Sequence, residues 1–277
     1  VIFDAWTCRE QLIDKGFILN CHVGIILVAV SVFLGGCASK PQLPVMLKKD
    51  AVGAQAGRIG VAMTALPKLD TRTPGADCLL CLATASMMNS SLTSHAKTLP
   101  YEDLPNLKQE MTDLLRKKGS HVTVLEEPLD ADNLPNREGE GENLARKDFS
   151  SLQQKYNVDR LLVVDITGLG FIRTYSAYIP TSDPKAMLNG TGYMVDLKTN
   201  TYDWYQKVSV TRSADQQWDE PPTFPGLTNA YFQVLELGKD GFLQPFIGDA
   251  VAAQPEFRVG EPTTVAAGMT SDRATVK

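Results

Sequence analysis

The sequence predicts an α/β fold: a single mixed sheet with helices packed on it and an antiparallel meander in its C-terminal half. Three observations point there. Strand-like and helix-like runs alternate through the first half, from "RIGVAMTAL" by way of a helical apolar stripe to "HVTVLEE", as expected when helices lie on a sheet. Further along, β-rich runs follow one another with only turn residues between them, in "RLLVVDITGLGF" and "GYMVDLKTNTYDWYQKVSVT", which asks for hairpins. A last stripe, Leu227, Tyr231, Val234 and Leu237, returns to helical spacing.

Each element has its own local reason. Ile59, Val61 and Met63 alternate with small residues, so a strand covered on both sides begins the domain. A loop with Pro67, Pro74 and Gly75 precedes a helix from about 78 to 88. Leu104, Leu107, Met111, Leu114 and Leu115 mark the next helix, with Pro105 in its first turn and Gly119 as its C-cap. Arg116, Lys117 and Lys118 then face the negative end of the helix dipole. That position explains this basic run as a solvated helix end rather than a phosphate site.

After the strand in "HVTVLEE", residues 126–142 carry Glu126, Glu127, Asp130, Asp132, Glu138, Glu140 and Glu142 against Arg137. Acid, Gly and Pro together predict a solvated loop. A calcium loop is the alternative, although the regular D-x-D-x-D-G spacing is missing. Leu144, Phe149, Leu152 and Tyr156 form a helical stripe capped by Asn157, and residues 161–166 read as a buried strand. Gly168 and Gly170 lack the third glycine of a nucleotide fingerprint.

Those glycines fall on one strand face with Leu169 and Phe171 opposite, and Gly190 and Gly192 repeat the pattern in the next strand. A hairpin turning at about 180–184 would align all four into a strip without side chains. Such a strip admits a helix or a neighbouring subunit, or simply permits strong twist. The next hairpin turns at 198–201, and the proline-rich "DEPPTFPG" leads to the final helix. Residues 248–277 repeat Ala, Thr and Pro and are expected to be a disordered tail.

The N-terminal region speaks to location. The apolar run at 23–36, "VGIILVAVSVFLGG", is shorter than the roughly 20 residues that span a bilayer, and has the length of a secretion-signal core. Ahead of it Arg9 and Lys15 are offset by Asp4, Glu10 and Asp14, and no Met precedes Met46. The natural leader is therefore expected to start downstream of Val1. Leu34-Gly35-Gly36-Cys37 resembles the lipobox of bacterial lipoproteins. The resemblance implies a signal peptide over 1–36, cleavage between Gly36 and Cys37, and a lipidated Cys37 carrying acyl groups such as palmitate. It also implies a tether over 37–57. Ala38, in place of an acidic residue, implies sorting to the outer membrane, facing the periplasm.

With Cys8 and Cys21 in the leader, Cys78 and Cys81 remain. An oxidising compartment makes a disulfide the first reading. A redox site needs a thiolate at a helix N-terminus, and zinc needs a second ligand pair, whereas His95 and His121 stand apart. The flanking Leu79, Leu80 and Leu82 suggest burial.

Together with the lipobox, "FSSLQQKYNVDRLLVVDI", with its Tyr156, Val158 and Asp159 junction, resembles periplasmic lipoproteins built on a TolB N-terminal-like domain. That group includes the penicillin-binding-protein activator LpoB and the curli secretion lipoprotein CsgG. The resemblance implies a periplasmic domain over 58–247 with envelope assembly or secretion roles through protein contacts, and it supplies no catalytic residues.

The net charge of −5 argues against nucleic acid as a partner, which calls for a basic footprint. No G-x-S-x-G, H-E-x-x-H or P-loop occurs, and Asp165 and His95 read as structural. No cofactor and no metal are expected. The reading is a non-catalytic, membrane-anchored interaction module with an envelope protein partner or a second copy. Two alternatives stand beside it. One is a CsgG-like oligomeric channel, with the hairpin between Val163 and Leu197 as its wall. The other is a thiol–disulfide protein using Cys78 and Cys81.

Overall fold

The computed structural model describes residues 41–139, 141–247 and 256–260. The chain divides into two units, Val1–Gln42 and Leu43–Lys277, and the account below concerns the second. The leader, the Gly36–Cys37 cleavage site and the lipidation site Cys37 lie outside the described residues.

The order is β1 (Arg58–Met63), β2 (Asp70–Arg72), α1 (Leu79–Met88), α2 (Ser90–Ala96), α3 (Leu107–Lys117), β3 (His121–Val124) and α4 (Ser151–Tyr156). Then come β4 (Arg160–Ile172), a small hairpin β5 (Tyr175–Ser176) and β6 (Ile179–Pro180), β7 (Lys185–Asp196), β8 (Thr201–Ser213), α5 (Pro225–Leu243) and β9 (Glu256–Val259). Among the described residues the strands form a seven-stranded mixed sheet in the order β3-β1-β4-β7-β8-β9, with β2 also paired to β4. β3 and β1 run parallel to β4, whereas β4, β7 and β8 are mutually antiparallel. This is the predicted α/β sheet with its meander.

Local chemistry sets the element ends. Gly119 takes φ +86° after α3, and its N–H closes on Arg116 O at 2.9 Å. Asn157 adopts the left-handed conformation after α4, as a C-cap should. Asp159 joins the two parallel strands at their starts: its Oδ2 accepts the Arg58 backbone N–H at 2.8 Å and the Arg58 Nε–H at 3.2 Å. The paired guanidinium holds the Asp159 carboxyl below its usual range.

The sheet is covered on both faces. One face packs Leu162, Val164, Ile166, Leu188, Trp204 and Val208 against α2, α3 and α5. The other packs Leu161, Val163, Tyr193, Val195 and Tyr202 against α4 and the segment that precedes it. Under α5, Trp204 meets Phe246 edge-on at 5.0 Å between ring centroids.

A β-bulge divides β4. Pairing with β7 passes from Ile166↔Gly190 to Gly168↔Asn189, so Thr167 is an extra residue and the facing pattern reverses after it. Leu162, Val164 and Ile166 face α5 before the bulge, and Leu169 and Phe171 do so after it. The expected glycine strip is corrected accordingly. Gly190 and Gly192 sit opposite Ile166 and Val164, on the α5 side, and Gly168 and Gly170 are on the other side. Their spaces are filled by this chain. A Cβ at Gly190 would lie 2.9 Å from Phe242, one at Gly192 would collide with Trp204, and one at Gly168 would lie 2.8 Å from the Arg72 guanidinium.

Two expected boundaries also move. Order begins ahead of the tether's expected end at residue 57. Val45 exchanges backbone hydrogen bonds with Tyr205 at 2.8 and 3.0 Å, Lys48 pairs with the buried Asp203 at 2.7 Å, and Ala51 and Ala56 are buried. In the expected disordered tail, β9 pairs parallel to β8, from Lys207↔Glu256 to Val210↔Val259. An open strand edge offers unpaired N–H and C=O groups to such a segment.

Candidate interaction surface

Between β2 and α3, among the described residues, the chain builds an apolar corner. α1 reads LLCLATASMM, without a charged residue. Cys78, extended in backbone, is its N-cap, and its Sγ accepts the Cys81 N–H at 2.9 Å. Cys78 and Cys81 are joined by a disulfide, closing the first turn on itself.

Only a narrow side of α1 rests on the protein. Cys81 and Ala85 pack with Ala76 and Tyr175 in a small satellite cluster. Polar contacts fix this base. Asn89, itself buried, donates through Nδ2 to the Ala85 carbonyl and to the Tyr175 hydroxyl, each at 2.7 Å. Arg173 reaches Asn89 Oδ1 at 3.4 Å, donates to the Ser182 carbonyl at 3.0 Å, and lies 4.8 Å over the Trp218 ring. The β5–β6 hairpin is held against the segment leading into α1 by Tyr175 N–H to Pro74 O at 2.8 Å and Ala177 N–H to Gly75 O at 3.1 Å.

The burial expected from Leu79, Leu80 and Leu82 is not what the fold provides. Leu79 is 90% exposed, Leu80 74%, Met87 77%, Met88 51% and Leu82 49%. On the neighbouring hairpin Tyr178 and Ile179 are 59% and 57% exposed. The cause is geometric: α1 has a single contact face, and the large side chains lie off it. Single exposed apolar side chains are ordinary, whereas a group of them on neighbouring elements marks an interaction surface.

The other nominated residues fall elsewhere and are not brought together. Asp165 lines a cavity of about 490 Å³ with Thr64, Asp130, Asp132 and Thr167. Burial raises its pKa, and the Thr64 hydroxyl, donating at 2.8 Å, opposes that rise. His95 lies on the α5 side, its Nε2 2.7 Å from the Thr228 hydroxyl and its ring 5.6 Å from Phe224. Burial lowers its pKa. Asp165 and His95 therefore sit on opposite faces of the sheet. The β4–β7 hairpin proposed as a channel wall is the centre of the sheet, with both faces covered by this chain.

Residues that the sequence did not single out do structural work. Lys239, nearly buried on α5, bonds Asp103 at 2.7 Å and lies 3.6 Å from both Glu110 and Glu236. Arg160 pairs with Asp203 at 2.8 Å. Apart from Glu236, one helical turn before Lys239, the partners are far apart along the chain, so these sets carried little sequence signal.

Neither a family model nor a curated protein matches the chain. Among solved structures, the lipoprotein GNA1162 from Neisseria meningitidis is 12% identical, with a TM-score of 0.27 over 65% of this chain and 97% of its own. Protein XCC0632 from Xanthomonas campestris, assigned to DUF330, is 12% identical, with a TM-score of 0.34 over 75% and 93%. PelC from Paraburkholderia phytofirmans, a dodecamer, is 12% identical, with a TM-score of 0.25 over 74% and 96%. Likenesses this distant say nothing about function.

Proposed function

We propose that this chain is a lipid-anchored cell-envelope protein whose folded domain is a non-catalytic interaction module. The observation that carries the module reading is the disulfide-closed, charge-free helix α1, held rigidly on one side and exposed on the rest. Leaving large apolar side chains in water is unfavourable by about 25 cal/mol per Å², so the surface is built for cover. The anchoring part rests on Leu34-Gly35-Gly36-Cys37. With it go outer-membrane sorting toward the periplasm, and the envelope assembly or secretion role that the TolB N-terminal-like resemblance implies. The partner is an envelope protein or a second copy of the chain.

Growth with labelled palmitate tests the anchor: the wild-type chain should take up label, and Cys37→Ser should not. An intact mass that lacks acyl groups in a bacterial host would refute it. One observation favours a second reading, a thiol–disulfide protein. Cys78 is exposed at a helix N-cap while Cys81 is buried, the arrangement in which one thiol attacks and the other resolves. With a dithiol such as dithiothreitol as the electron source, reduction of a small disulfide substrate faster than by the dithiol alone, and lost in Cys78→Ser, would establish it.

A further inference from the structure

We propose that α1 and the β5–β6 hairpin form a foot that dips into the acyl chains of the leaflet carrying the anchor. The inference rests on the anchored reading above and names what covers the exposed corner.

Three features favour lipid over a protein partner. The first is angular. At about 100° per residue, Leu82, Leu79, Met87, Leu80 and Met88 spread over about 240° of the helix circumference. A helix that docks in a protein groove presents one stripe at i, i+3, i+4 and i+7. Fluid chains, by contrast, can surround a helix on every side the protein leaves free. The second is polarity. From Leu79 to Met88 there is no charged side chain, and Tyr178 at the hairpin tip has the amphipathic ring suited to headgroup level.

The third is reach. The folded unit begins at Leu43, six residues after Cys37, and six extended residues span only about 20 Å. The tether leaves the sheet beside Tyr205, and the hairpin lies past the far end of β4. The anchor therefore holds the domain near lipid at a high effective concentration without itself choosing the face that meets it. The rigid base then matters. The disulfide fixes the first turn of α1 and the Asn89–Tyr175 hydrogen bond ties the helix end to the hairpin, so that little is lost in ordering it on insertion.

The test uses the full chain, reconstituted in phosphatidylethanolamine–phosphatidylglycerol vesicles with or without bromine on the acyl chains. Leu80→Trp places a reporter on the foot, and Thr123→Trp places one on exposed β3. Insertion to a depth of about 5–10 Å should cost the Leu80→Trp reporter roughly two-fold in emission in brominated vesicles, beyond the wild-type signal. The Thr123→Trp emission should not change. Unquenched Leu80→Trp emission overturns the foot, whether it is red and solvated or blue-shifted under a second copy. The mass of the same sample reports acylation of Cys37. Quenching without an acyl group would retire the anchor and keep the foot, whereas an acyl group without quenching would do the reverse.

Discussion

α5 and α1 are both apolar helices, yet the fold treats them oppositely. α5 buries ten of its nineteen residues, among them Tyr231, Val234 and Phe242. It can do so because the strands beneath are shaped for it: Gly190 leaves room for the Phe242 ring, and Gly238 on the helix leaves room for Leu188. α1 buries Cys81 and Ala85 and turns its leucines and methionines outward. The lesson is that apolarity sets a demand for cover, and the neighbouring surface decides whether the chain itself meets it. α5 holds the domain together, whereas α1 is held by the domain for something else.

The comparison can be broken or sharpened by substitution. The largest effect is expected at Phe242→Ala, which opens a cavity beneath α5 and should cost about 3–5 kcal/mol in denaturant unfolding. A loss below about 1 kcal/mol would mean that α5 is not the keystone described here. Next, replacing Cys78 and Cys81 together with Ser frees a very short loop, for which chain entropy gives about 2 kcal/mol. Hydrogen exchange should rise in α1 while α5 keeps its protection. Even loosening of both helices would show that the corner is part of the main core. The smallest effect is expected at Leu80→Ser. Being exposed, it should leave the unfolding midpoint within about 0.5 kcal/mol. A larger loss would mean that Leu80 is covered by this chain after all.

Much of the fold was legible in the sequence, for a definite reason. Gly119 and Asn157 ended their helices where expected because a left-handed residue is a local requirement. The Leu107, Met111 and Leu115 stripe and the β7–β8 turn are equally local. What escaped depends on long-range partners or on a count of one. Thr167 differs in no visible way from its neighbours, yet as one inserted residue it reverses the facing of the rest of β4 and separates the two glycine pairs. Val45 and Lys48 looked like tether until Tyr205 and Asp203, more than 150 positions later, gave them partners. At the candidate site, the cysteine pair was legible and the exposure of Leu79, Leu80 and Leu82 was not. Leucine's preference for burial is local, whereas the narrow shelf that Tyr175 and Ala76 provide depends on distant parts of the chain.

The early pairing of Val45 has a mechanical consequence. A pull on the chain ahead of Leu43 is passed to the two hydrogen bonds between Val45 and Tyr205 and to the Lys48–Asp203 ion pair. Both Tyr205 and Asp203 belong to β8, and Asp203 is bonded in turn to Arg160 on β4. Tension thus enters at β8 and passes through Arg160 to β4 in the middle of the sheet, so that its two 13-residue strands share it.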